Sequence, residues 1–222
     1  MNSAADERLI PPTMLYRFAL PCRKATTKWA AKTGIDLSED YILPSLAVLD
    51  GQHRFADIRA AWSEEGLYFN VDISTKQQSV WCRETQLIDS DGFQVWIDTR
   101  NTHNVHRATR YCHWFLFLPS GGGSKKNTPI SSMLRINRSK DDPKTLNQVK
   151  PRIVAKEKVG GYTLSTHIPK QALDGWNTEE HTRIGFNYAI MDRELGNQTL
   201  AVGTEFPISE DPSLWQTLEL VL

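Results

Sequence analysis

Apolar residues recur at every second position in run after run of this chain, and a chain patterned this way has to build sheets. In DGFQVWID the alternation puts Phe93, Val95 and Ile97 on one face, and in LYFNVDI it puts Leu67, Phe69, Val71 and Ile73 together. Each such strand needs a sheet with one buried face. FADIRAAW and LYFNVDI are joined by the turn residues Ser63 to Gly66, which predicts a hairpin, and Tyr111 to Leu118 supplies a partner for Phe93 to Asp98. SSMLRIN, PRIVAKEK, YTLSTHIP, RIGFNYAIMD and SLWQTLELV add further short strands, with a tight turn at Val159 to Gly161. Helix is confined to a turn near Trp29 ended by Gly34 and a single turn at Lys170 to Leu173. The fold class expected is all-β: an antiparallel β-sandwich, jelly-roll-like and immunoglobulin-like in general architecture, with very little helix.

The 222 residues suffice for one domain with a proper core. We expect an arm over residues 1–41, broken by Pro11, Pro12 and Pro21 and holding one edge strand around Met14 to Leu20, that packs on or extends a sandwich domain over residues 42–222. The run Ser120 to Pro129 is rich in Gly, Ser and Lys and reads as a mobile loop, since the phosphate-loop spacing is missing.

Charge and cysteine content exclude several functions. Twenty-six basic side chains balance 26 acidic ones, which is not the footprint of a nucleic-acid or anionic-membrane binder. Cys22, Cys82 and Cys112 have neither zinc nor disulfide spacing and read as packed thiols. No secretory signal or membrane span is apparent, so the expected location is cytoplasmic.

The polar segment between the strands at Phe93 and Tyr111 carries His103, His106, Arg107 and Arg110, with His113 beyond it. The histidine spacing does not match HExxH, and the segment reads either as a solvated hairpin connection or as a binding rim in which Arg107 and Arg110 grip hydroxyls or carboxylates. Asp89, Asp91 and Asp98 in and after DSDG invite calcium, but the chain runs straight into an apolar strand where a calcium loop needs more ligands. There is no GxSxG, and Cys112 and His113 are adjacent strand residues that point to opposite faces. Asp192, Glu194, Glu205, Glu210 and Asp211 offer carboxylates without a separation, so the expectation is no enzyme. Trp62, Trp96 and Trp114 read as core or sheet-face residues, whereas Trp81, in a polar context, reads as an exposed platform.

The succession FADIRAAWSEEGLYFNVDI, DGFQVWIDTR, GGYTLSTHIPKQAL, RIGFNYAIMDRE and EDPSLWQTLEL resembles that of family 9 carbohydrate-binding modules and the wider DOMON-like sandwiches, over about residues 46–222. The resemblance implies carbohydrate binding without catalysis, in a cleft where two tryptophans sandwich a terminal sugar. At one clamp position this sequence has Leu87 or a neighbour, at the other Ser209 and Glu210, and Gln94 stands at the acidic sugar-binding position. Some relatives carry structural calcium; for this chain no cofactor is expected. The site expected is Trp81 for stacking, with Gln94, Arg107, Arg110 and Asp192 hydrogen bonding a carbohydrate or other small polar ligand. The alternative is a scaffold or protein-interaction module that keeps the fold and has lost the clamp.

Overall fold

The structure, a computed structural model, describes residues 10–222. A single helical turn, α1 (Pro12–Leu15), precedes β1 (Ala19–Lys24), and then come β2 (Ala56–Ser63), β3 (Gly66–Ile73), β4 (Gly92–Asp98) and β5 (Cys112–Gly122). The chain continues through β6 (Thr128–Leu134), β7 (Arg152–Lys158), β8 (Gly161–Pro169), β9 (Arg183–Asp192), β10 (Gly196–Thr199) and β11 (Gln216–Val221). Short 3₁₀ turns at Glu39–Tyr41, Leu46–Asp50, Lys170–Ala172 and Pro212–Leu214 link them. The chain is mostly β, and among the described residues no helix is long and apolar enough to cross a membrane.

The strands form one continuous eleven-stranded sheet in the order β6-β5-β4-β9-β11-β1-β2-β3-β8-β7, with β10 added to β9. It bends until β5 and β6 at one end approach β7 and β8 at the other. The enclosed core holds one face of nearly every strand: Phe93, Val95 and Ile97 from β4, Phe115 and Phe117 from β5, Phe69 and Val71 from β3, and Phe186 and Tyr188 from β9. The pairing departs from the all-antiparallel expectation at one strand. β1 lies in the middle of the sheet, parallel to both β11 and β2, where an edge strand was expected. Pro21 is tolerated there because β1 pairs with β2 only from Arg23 onward, so the missing N–H falls where that ladder has not begun.

Two further expectations are corrected. The turn near Trp29 is not helical: Ala30 and Gly34 exchange backbone hydrogen bonds at 2.8 Å, and Gly34 takes φ +78°, with a Cβ there falling 2.2 Å from Ser165 Oγ. The Gly-rich run after Pro119 is half sheet, since β5 reaches Gly122 across a register shift and β6 begins at Thr128, leaving a turn over residues 123–127. Gly185, by contrast, marks the close approach its position in β9 suggested, because a Cβ would sit 2.9 Å from Asp98 Cβ.

Candidate functional site

On β4 the residues between the core positions, Gln94 and Trp96, face away from the core. Register sets Trp96 opposite Trp114 of β5 and Asn187 of β9, and Gln94 opposite Ala189. The two indoles stack with centroids 5.5 Å apart at 23° and form a second, smaller apolar cluster with Cys112, Ala189 and Trp215. Over this face opens a cavity of about 330 Å³, walled by Ile88, Asn137, Met191, Phe206, Ser209 and Glu210. Its polar groups are few. Gln94 Nε2 donates to the Ile88 carbonyl at 3.1 Å, and Asn137 Nδ2 donates to Glu210 at 2.7 Å. The indole N–H groups of Trp96 and Trp114 and the amide nitrogen of Asn187 have no acceptor among the described residues, although all three side chains are buried.

The wall carrying Ile88 is held by a buried knot of charge. Lys76 Nζ donates to both oxygens of Asp192 at 2.7 Å and to Asp91 at 3.2 Å, with Glu194 at 3.7 Å. Burial pulls the Lys76 pKa down, but the bond to Asp192 and the charges of Asp91 and Asp192 outweigh it, so the ammonium is kept protonated. Asp91 also accepts the N–H groups of Trp81 and Arg193, and Asp192 accepts those of Glu194 and Leu195. Glu194 accepts from the N–H groups of Gln77 and Gln78, which hold its pKa down. The 74–91 segment is thereby stitched to the β9–β10 turn. Trp81 is half-buried above the knot, with the Arg83 guanidinium 5.1 Å and the Arg193 guanidinium 4.8 Å from its ring.

The polar segment between β4 and β5 docks onto the far end of the same strands. His103 Nε2 meets Thr217 Oγ1 at 3.0 Å, and exposed His106 meets Asp211 at 3.0 Å. Arg107 donates to the carbonyls of Arg138 and Ser139, while Arg110 donates to the Tyr111 hydroxyl at 2.7 Å and lies over its ring. Asp98 accepts the N–H groups of Arg100 and Thr102, yet burial dominates and raises its pKa. His113 is fully buried in the core and accepts the Asp174 N–H at 2.9 Å; burial lowers its pKa to about 4.

Of the residues expected from sequence, the cavity contains Gln94 alone. Trp81 and Asp192 lie at the Gly92 end of β4, and Arg107 and Arg110 beyond its Asp98 end, roughly 20 Å of strand away. Asp192 is consumed by Lys76, and Arg107 by backbone carbonyls. The positions that the family resemblance marks do converge: Ile88, next to Leu87, with Gln94, Ser209 and Glu210, line one cavity. Sequence reasoning read Trp96 and Trp114 as core or sheet-face residues without assigning them to the site, and it passed over Met191 and Phe206.

None of the three cysteine thiols is poised as a nucleophile. Cys22 is buried and its thiol pKa strongly raised, and burial pushes Cys82 to about 11 and Cys112 to about 12. Among the described residues no group of three or more His, Cys, Asp or Glu side chains gathers as an ion would need.

A strongly bent, nearly barrel-shaped all-β sheet with an apolar, indole-floored cavity on its outer face defines a ligand-binding domain of the carbohydrate-module type. The carbohydrate family 9 binding domain-like profile matches residues 27–221, and the chain belongs to that family. Among solved structures, a family 9 carbohydrate-binding module from Caldicellulosiruptor kristjanssonii in complex with cellotriose superposes with a TM-score of 0.60 at 11% identity, covering 92% of this chain and 94% of that one. A structure of a family 9 module from the same organism in complex with glucose gives 0.58 at 11% identity, covering 91% and 95%. No curated protein matches the sequence.

Proposed function

We propose that this chain is a non-catalytic carbohydrate-binding domain, a two-layered sandwich in which the outer face of β4, β5 and β9 takes a saccharide. The observation that carries the reading is the pair of stacked indoles, Trp96 and Trp114, that line the cavity, with their N–H groups enclosed beneath it and without a protein acceptor. A buried unpaired donor costs about 1–3 kcal/mol, and the ring and hydroxyl oxygens of a sugar are acceptors that would relieve it. Gln94 adds an amide, and Ile88, Met191 and Phe206 offer apolar surface to the C–H face of a pyranose. Trp81, Arg107 and Asp192 act in this reading by holding the loops that frame the cavity, whereas Arg110 is spent on its neighbour Tyr111. No ion is invoked at the acidic cluster, where the Lys76 ammonium already sits between Asp91 and Asp192.

The alternative, a protein-interaction module, draws on one observation: Ile88 stands exposed on the rim, where a sugar clamp would offer an aromatic ring. Calorimetric titration with glucose and cellotriose separates the two. Binding that Gln94→Ala weakens by about tenfold, or about 1.4 kcal/mol, supports the carbohydrate reading. Absence of binding by the parent at millimolar sugar favours the protein partner.

A further inference from the structure

The outer face of the other half of the sheet carries a second cavity, of about 520 Å³, that the reading above leaves unused. On this face register aligns Ala61 of β2, Tyr68 of β3, His167 of β8 and Arg152 of β7 in one row. The segment following β1 walls the row in, fixed by Ala25 N–H on the Trp62 carbonyl at 2.8 Å and Thr27 Oγ1 on the Asp36 carbonyl at 3.0 Å. Tyr68 and His167 stack with centroids 4.5 Å apart, and Trp29 tilts against His167 at 5.7 Å. Tyr68 and His167 are buried, so half-buried Trp29 is the ring that the cavity meets.

Two features say what the cavity would hold. His167 Nε2 contacts the Glu65 carbonyl at 3.3 Å, and a carbonyl only accepts, so the proton is on Nε2. Nδ1 is then a bare acceptor, and it has no donor among the described residues although the side chain is 4% exposed. Such an atom suits a hydroxyl. The second feature is charge. The two lining carboxylates are spoken for, Glu64 by Lys24 and Glu65 by Lys170, whereas the Arg152 guanidinium and the Lys28 ammonium have no ion-pair or hydrogen-bond partner among the described residues. The cavity thus offers an aromatic surface and two uncommitted cations, with the enclosed His167 acceptor beneath them.

We propose that this cavity is a second ligand site, distinct from the one over β4, β5 and β9, that takes an acidic saccharide. The ring's apolar face lies on Trp29, and its carboxylate meets Arg152 and Lys28. The chain then holds two glycan segments on opposite faces, one neutral and one acidic. The site stands on its own residues and survives if the first does not bind sugar.

The test is an NMR-monitored titration of the whole chain with trigalacturonate and, separately, cellotriose, for the parent and for Trp29→Ala, Arg152→Gln and Gln94→Ala. Arg152 is exposed on an edge strand, so its variant folds even if removal of Trp29 disturbs the arm. The expected result is that trigalacturonate shifts the Trp29 indole and His167 ring signals, that Arg152→Gln weakens it about tenfold or more, that added salt weakens it further, and that Gln94→Ala leaves it unchanged. Trigalacturonate that leaves Trp29 and His167 unmoved, or whose affinity follows Gln94 and not Arg152, overturns the proposal. Cellotriose reports on the first site alone, so loss of its binding with trigalacturonate binding intact counts against that site only.

Discussion

Single side chains decide where this molecule spends its buried polarity, and two of them make predictions. Lys76 is almost wholly enclosed, 2% exposed, with Asp91 and Asp192 as its ion partners. Replacing it by Met strands two carboxylates in the interior, and breaking a buried pair in this way costs roughly 3–5 kcal/mol. Urea denaturation of Lys76→Met measures the loss, and adding Asp91→Asn and Asp192→Asn recovers part of it if the cause is charge and not lost packing. Because the ammonium already occupies the space between those carboxylates, chelator or added calcium leaves the parent's melting temperature unchanged; a rise with calcium would show an ion site after all. His113 works through pH. Its pKa falls from the ordinary 6.5 to about 4, so the neutral form contributes stability above pH 6.5 that is lost as pH drops toward 4. That shift corresponds to about 3 kcal/mol. Asp98, whose pKa is raised, has the opposite sign, contributing at low pH and losing its contribution as pH rises through its folded value. Comparing the parent with His113→Gln between pH 7 and pH 4 isolates the histidine: the parent loses more stability than the variant, and equal losses would refute the assignment.

At the scale of elements, strand identity was legible because alternation writes burial directly into sequence: Phe93, Val95 and Ile97 point to the core as their spacing requires. Order in the sheet was not legible. The short run from Ala19 to Lys24, interrupted by Pro21, looks like an edge, and only its pairing with the last strand of the chain puts it in the middle. A partner nearly two hundred residues away leaves no local mark. The candidate site was half legible for a similar reason. Gln94 and Trp96 share the outward parity of β4, which could have placed Trp96 beside the expected Gln94, but Ile88, Asn137 and Phe206 reach the cavity from loops whose paths have no period to read. Asp192 and Arg107 were attractive as ligand groups because each is a charge beside a loop, but folding buries Asp192 against Lys76, and Arg107, though exposed, is bonded to backbone carbonyls. The central place of β1 carries its own prediction. A chain beginning at residue 42 lacks the strand between β11 and β2, exposes two unpaired edges and shows no cooperative melting by circular dichroism; a sharp transition near the parent's would mean that β1 is dispensable.

For the whole molecule, the bending of the sheet puts the core inside and leaves two worked outer faces, each with an aromatic-lined cavity and orphaned polar atoms. The face over β4, β5 and β9 coincides with the positions the family resemblance marks, yet it replaces a pair of exposed rings with aliphatic and small side chains above buried indoles. The chemistry that remains is shape, a few amide groups and two donors in need of acceptors. The account therefore stands or falls on those donors. A nitrogen–proton correlation spectrum of the intact chain reads indole N–H groups directly, and glucose or cellotriose titrated to millimolar concentration should shift the Trp96 and Trp114 indole resonances, with the Trp215 indole, bonded to the Ile208 carbonyl, moving less. Sugar that leaves both indoles unmoved while binding elsewhere, or that does not bind at all, would contradict it.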